Sequence, residues 1–97
     1  MIIYEITAKV RADLIETYEE YMRETHIPDL LETEFFSGAK FTRSANGSYR
    51  IQYEAHDRAA LDEYLKKDAP RLREDFLAHF PFGIEIEREI WEVVQIF

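Results

Sequence analysis

The sequence has no cysteine, and that absence removes disulfide frameworks, thiolate metal sites and thiol nucleophiles together. Glycine and proline are scarce, 3 of each in 97 residues, which excludes collagen-like and low-complexity chains. No run approaches the ~18 consecutive apolar residues that a bilayer span requires. The first residues lack the basic start, apolar middle and small-residue cleavage site of a signal peptide, so an unprocessed cytoplasmic chain is expected. Positive charge is also short: 12 Lys and Arg stand against 20 Asp and Glu, a formal charge of −8. That sign repels phosphate backbones and anionic lipid, so neither a nucleic acid nor a membrane is expected as a partner. A Gly-rich phosphate loop, a Ser nucleophile elbow and a distinctively spaced pair of catalytic carboxylates are missing as well.

What remains is a chain that is 46% aliphatic and aromatic, enough to fill one core and too little chain to fill two. A single domain over residues 1–97 is expected. Ile2 to Val10 alternates: Ile2, Tyr4, Ile6, Ala8 and Val10 share one face, Ile3, Glu5, Thr7 and Lys9 the other. Period two with β-branched residues predicts a half-buried strand. Asp13 is placed to cap a helix with the apolar stripe Ile15, Tyr18 and Met22. That helix is expected to stop near His26, because a residue before proline disfavours the helical region and Pro28 follows. Pro28 can then open a second short helical piece through Leu30 and Leu31. Phe36 to Ser44 and Tyr49 to His56 read as two strands of a hairpin around Ala45-Asn46-Gly47, where Asn-Gly supplies positive φ cheaply. Asp57 caps a helix with the stripe Leu61, Tyr64 and Leu65. Pro70 forces a break near Asp68, and Leu72, Phe76 and Phe80 continue the stripe. Ile84 to Ile96 is the last strand, with a bulge or an exchange of burial expected near Ile90 where the apolar parity changes.

The order β-α-β-β-α-β, with right-handed crossovers, predicts an α+β ferredoxin-like fold. It has one four-stranded antiparallel sheet in the order 4-1-3-2 with both helices on one face. The other face then carries Ile3, Glu5, Thr7, Arg50, Gln52, Glu54 and His56, joined by Trp91 and Val93. A mixed face of this size on a small chain calls for a cover. The cheapest cover is a second copy, giving a two-fold dimeric α/β barrel.

Two groups of residues could carry chemistry. His26 reads either as a general base or ligand-binding imidazole, or as a helix C-terminal residue favoured by the dipole and bonded to a carbonyl. Glu5, Arg50, Gln52 and Glu54 point at one face from neighbouring strands, and Arg88 on the last strand is a further candidate member. They could hold a carboxylate or carbonyl substrate, with Arg50 as anion anchor, or form a network that fixes dimer register. His26, His56 and His79 are 30 and 23 residues apart, on different elements, and lack the close spacing of metal ligands. His56 and His79 are expected at the surface, and neither a metal nor another cofactor is expected.

The sequence also resembles a family of small bacterial proteins classed as a domain of unknown function within the dimeric α/β-barrel superfamily. The resemblance rests on Met1-Ile2-Ile3-Tyr4-Glu5 with Thr7, His26-Ile27-Pro28, and Thr33 with Phe36 and Ala39. It continues through Tyr49 with Gln52-Tyr53, Tyr64 with Ala69-Pro70 and Leu72, then Phe80 and Arg88. Two positions depart from it: Glu34 stands where the family usually has Gly, and Phe76 where it often has His. The resemblance implies the fold and a homodimer and supplies no activity. Two functions follow as expectations. One is a homodimeric scaffold or small-molecule-binding module. The other, by analogy with the superfamily, is a cofactor-independent monooxygenase- or isomerase-like enzyme acting on a small organic substrate.

Overall fold

The computed structural model describes residues 1–97. Four strands, β1 (Ile2–Val10), β2 (Phe36–Arg43), β3 (Ser48–Ala55) and β4 (Ile84–Glu92), form one sheet in the order β2-β3-β1-β4. Every pairing is antiparallel. Helices α1 (Ile15–Tyr21), α2 (Ile27–Leu31), α3 (Arg58–Lys67) and α4 (Ala69–His79) cross between the strands. The topology is the expected α+β ferredoxin-like one, with the helices packed on one face of the sheet. No helix is long and apolar enough to cross a membrane.

Alternation decides which strand faces are buried. Tyr4, Ala8 and Val10 of β1 and Tyr49, Ile51, Tyr53 and Ala55 of β3 lie under the helices, fully buried. Tyr18, Leu61, Tyr64, Leu72, Phe76 and Phe80 meet them from the helical side. Burying each such side chain contributes roughly 1.5–3 kcal/mol. Tyr18 is central: its ring lies edge-on to Phe41, Phe76 and Phe80 and 5.0 Å from that of Tyr49. Asp57 caps α3 as expected, its carboxylate accepting from the Ala60 N–H at 2.7 Å. The break before Pro70 falls at Asp68, and Gly47 takes its positive φ in the β2–β3 turn.

Four expectations are corrected. Asp13 does not cap the first helix; its carboxylate binds the Arg11 guanidinium at 2.6 Å instead. The first helical segment does not stop near His26. It widens into a π turn over Met22–His26, where the Ile27 N–H reaches back five residues to the Met22 carbonyl, and runs on as α2. The wider turn accommodates Pro28, which has no N–H to give and sits in the opening turn of α2, where none is needed. No bulge interrupts β4, which pairs with β1 in unbroken register from Ile84 to Glu92. The parity change falls inside the paired segment, Ile90 facing the helices and Trp91 the open face without a bulge, and the strand ends at Glu92 rather than Ile96. The sheet's irregularity lies instead between Phe36 and Gly38 of β2.

Glu34 has φ +69 and closes the connection from α2 to β2, its N–H bonded to the Leu31 carbonyl. A left-handed residue is favoured at a helix C-terminus, and glycine adopts it at least cost. Glu34 holds this geometry under strain.

Candidate functional site

The site lies between the sheet and the helices. The inward parity of β1 supplies Tyr4 and Ile6, and β3 supplies Tyr53. Tyr64 comes from α3, Arg73 and Phe76 from α4, and Arg88 from β4. The π turn adds His26. Together with neighbouring apolar side chains they enclose a cavity of about 40 Å³. Ten of its thirteen lining residues are aliphatic or aromatic, four of them tyrosines, and the other three are basic.

His26 is the unusual member. Its ring packs 5.6 Å from that of Phe76 and 6.0 Å from that of Tyr21. Its Nδ1 is shut off from solvent and has no hydrogen-bond partner. An unsatisfied buried polar atom of this kind costs about 1–3 kcal/mol. Burial lowers the imidazole pKa to about 4; the charge of Arg88 lowers it too, while Asp29 and Asp75 oppose the shift. The ring is thus neutral at pH 7, and the hydrogen-bonding capacity of its Nδ1 is unused. Phe76 offers it only an apolar ring.

The arginines reach the cavity from its exposed side. Arg73 donates to the Tyr4 hydroxyl at 3.0 Å. Arg88 makes no hydrogen bond or ion pair, and neither arginine has a carboxylate within 4.0 Å. The Tyr64 hydroxyl is pushed above the usual phenol range by burial and by Tyr4, and both arginine charges pull it back.

The open face of the sheet holds the second candidate group. Glu5 and Gln52 are cross-strand partners, and Gln52 Nε2 donates to Glu5 Oε1 at 3.1 Å. Arg50 Nε lies 3.5 Å from the same oxygen, and Trp91 Nε1 donates to Glu5 Oε2 at 3.2 Å. Glu5, with only 12% of its side chain exposed, is therefore fully engaged. Glu54 shares the face but not the network. Arg88 is corrected: unbroken β4 register puts it with Ile84, Ile86 and Ile90, on the helical side, so it joins His26 rather than Glu5. A groove of about 480 Å³ on the open side includes Arg50, Thr7 and Glu87 but not Glu5, Gln52 or Glu54. His56 bonds the Glu34 carbonyl through Nε2 at 2.9 Å, and His79 stacks on Tyr21 at 4.2 Å; both are exposed, as expected. No cluster of three or more His, Asp or Glu is arranged to hold a metal ion.

A family model described as Domain of unknown function (DUF4286) matches residues 1–94. The chain belongs to that family. No curated protein matches it. Among solved structures, this DUF4286 chain is similar to an antibiotic biosynthesis monooxygenase, with TM-score 0.69, 17% identity, and coverage of 98% of this chain and 100% of that one. It is also similar to a variant of SnoaB, a cofactor-independent oxygenase from Streptomyces nogalater, with TM-score 0.74, 13% identity, and coverage of 98% and 94%. A third is an ethyl tert-butyl ether D (EthD) family protein from Bacillus halodurans, with TM-score 0.73, 15% identity, and coverage of 97% and 100%. At these identities the likeness is one of fold.

Sequence reasoning missed Arg73 and the hydroxyls of Tyr4 and Tyr64 in the DUF4286 site. Arg73 follows Leu72 and sits three residues before Phe76, at the edge of the buried stripe of α4. That edge position was a signal that it could turn inward. The tyrosines were legible as core, but period two cannot show where a hydroxyl ends.

Proposed function

We propose that this protein acts on a small organic molecule bound at the helix-side cavity, with His26 as the polar contact and Arg73 and Arg88 at the entrance. The single observation that carries this is the buried, unpartnered Nδ1 of His26. A nitrogen left without a partner in an apolar wall is most economically explained by a ligand or water that completes it. A neutral imidazole can orient a substrate hydroxyl or carbonyl, and can accept a proton once an adjacent negative charge raises its pKa. The shared fold with a cofactor-independent oxygenase and an antibiotic biosynthesis monooxygenase supports small-molecule chemistry of that class as an analogy. A thermal-shift screen of small carboxylic and aromatic compounds, run beside the variant His26→Phe, tests the reading. Hits that stabilise the parent and lose their effect in the variant support it. Hits indifferent to the substitution, or a flat response throughout, contradict it.

The same reading has the open sheet face covered by a second copy. Within one chain nothing covers it. Ile3 is half-buried and Trp91 exposed, and the tail after Val93 leaves Val94, Ile96 and Phe97 at the surface. Charge on this face is divided. Glu85, Glu87 and Glu89 lie along the β4 edge, Lys40 and Arg50 towards β2. A two-fold axis through the middle of the sheet would set each acidic edge against the other copy's basic one, which is the self-complementarity an isologous interface needs. The small size of the cavity favours one second reading, a homodimeric binding module without catalysis. Product formation from a bound hit separates the two.

A further inference from the structure

We propose that the ligand of the His26 cavity is a short-chain carboxylate, its carboxylate held between Arg73 and Arg88 and its two- or three-carbon body in the cavity. This rests on the cavity being a ligand site and adds the class of molecule it takes.

Charge pairing is the first argument. The chain has 20 acidic residues against 12 basic, so free guanidinium groups are not expected by chance. Arg11, Arg43, Arg50, Arg58 and Arg71 each have a carboxylate within 4.0 Å. Arg23, Arg73 and Arg88 have none, and of these only Arg73 and Arg88 line the cavity, although Glu87 and Glu89 flank Arg88 and Glu74 and Asp75 follow Arg73. Alternation turns Glu85, Glu87 and Glu89 to the opposite sheet face, so Arg88 lies between Ile86 and Ile90 on its own face. Arg73 and Arg88 come from different elements, yet line the same small cavity. Both also bear on the Tyr64 hydroxyl. Asp29 and Asp75 are felt by His26, and Asp68 by Tyr64, but Asp68 is engaged by Arg71 at 3.4 Å. Two guanidinium forks at the entrance of an apolar chamber match a planar carboxylate with an apolar body behind it.

Size is the second argument. A chamber of about 150 Å³ accepts benzene. At about 40 Å³ this one takes a few carbon atoms and not a ring. An oxygen substituent on such a chain, as in a hydroxy or keto acid, would also meet the free Nδ1 of His26. The hydroxyl-bearing rings of Tyr4, Tyr18, Tyr53 and Tyr64 line the same wall.

The test is an NMR titration of the His26 ring with propionate and with propionamide, its neutral match, at constant sodium chloride concentration. Propionate is expected to give a saturating shift. Propionamide is expected to bind at least tenfold more weakly. Arg88→Gln should weaken propionate at least tenfold and leave propionamide unchanged; Arg88→Lys should recover part of the loss. Arg88 is exposed and bonded to nothing, so these variants are expected to fold as the parent does. If acid and amide bind equally, or Arg88→Gln has no effect, the carboxylate inference is overturned while the site stands. If neither compound moves the ring, butyrate and lactate follow. Silence across all of them overturns both the inference and the site. A shift that rises without saturation also overturns the inference, because it reports screening rather than binding.

Discussion

Acidification from pH 7 to pH 5 is expected to destabilise the protein through His26 in particular. In the unfolded chain this imidazole titrates near 6.5; in the fold it titrates at about 4 because burial opposes its charged form. The sign follows from proton counts. Between those values the unfolded state holds the proton and the native state does not, so lowering the pH favours unfolding. The contribution is complete above pH 6.5, declines through the interval, and is lost once both states are charged. The full gap corresponds to roughly 3 kcal/mol, and the part between pH 7 and pH 5 to about 2 kcal/mol. That is a large share of the ~5–15 kcal/mol typical of a small domain. Urea unfolding followed by circular dichroism at half-unit pH steps gives the slope. The variant His26→Phe keeps the ring volume and removes the titration, while His56 and His79 remain as common background. The parent should therefore lose about 2 kcal/mol more than the variant over this range. Parallel pH profiles for the two proteins would refute the buried, neutral imidazole and with it the electrostatic description of the cavity.

Three further outcomes follow from named contacts. Glu34→Gly should raise stability by about 0.5–1 kcal/mol in urea, since the glycine takes the +69° φ without strain; a loss would contradict the strained connection. Tyr49→Phe removes the hydroxyl that donates to Glu19 at 2.6 Å and should cost about 1 kcal/mol. The Glu19 carboxyl, held low first by Tyr49 and then by Arg43, should titrate higher in that variant by carboxyl NMR. The parent should sediment at about twice 11.6 kDa and Trp91→Glu as a monomer; a monomeric parent at micromolar concentration would contradict the covered sheet face.

The fold was legible because period two and period 3.6 survive along most of the chain. Tyr4 to Val10 and Tyr49 to Ala55 announce their buried faces, and Asp57 and Pro70 punctuate the second helical region where the structure does. Local rules failed where tertiary packing overruled them. Pro28 looked like a stop for the helix ending at His26, but a π turn carries the helix through. That same turn is what places the imidazole over the cavity instead of at a solvated helix end. Arg88 was visible as an odd residue in an isoleucine parity, and the expected bulge obscured the inference that it faces the helices. On the open face, Glu5, Arg50 and Gln52 were legible as a group because cross-strand neighbours follow directly from strand order. The engagement of Glu5 by Trp91 spans 86 positions and needs the β1–β4 register to be seen.

The most direct test of the account is a crystal structure grown with the strongest stabilising ligand from the screen. The account predicts that molecule inside the helix-side cavity, with a polar atom within hydrogen-bond distance of His26 Nδ1. Finding it instead on the open sheet face beside Arg50, with the cavity closed around His26, would contradict the site proposed here.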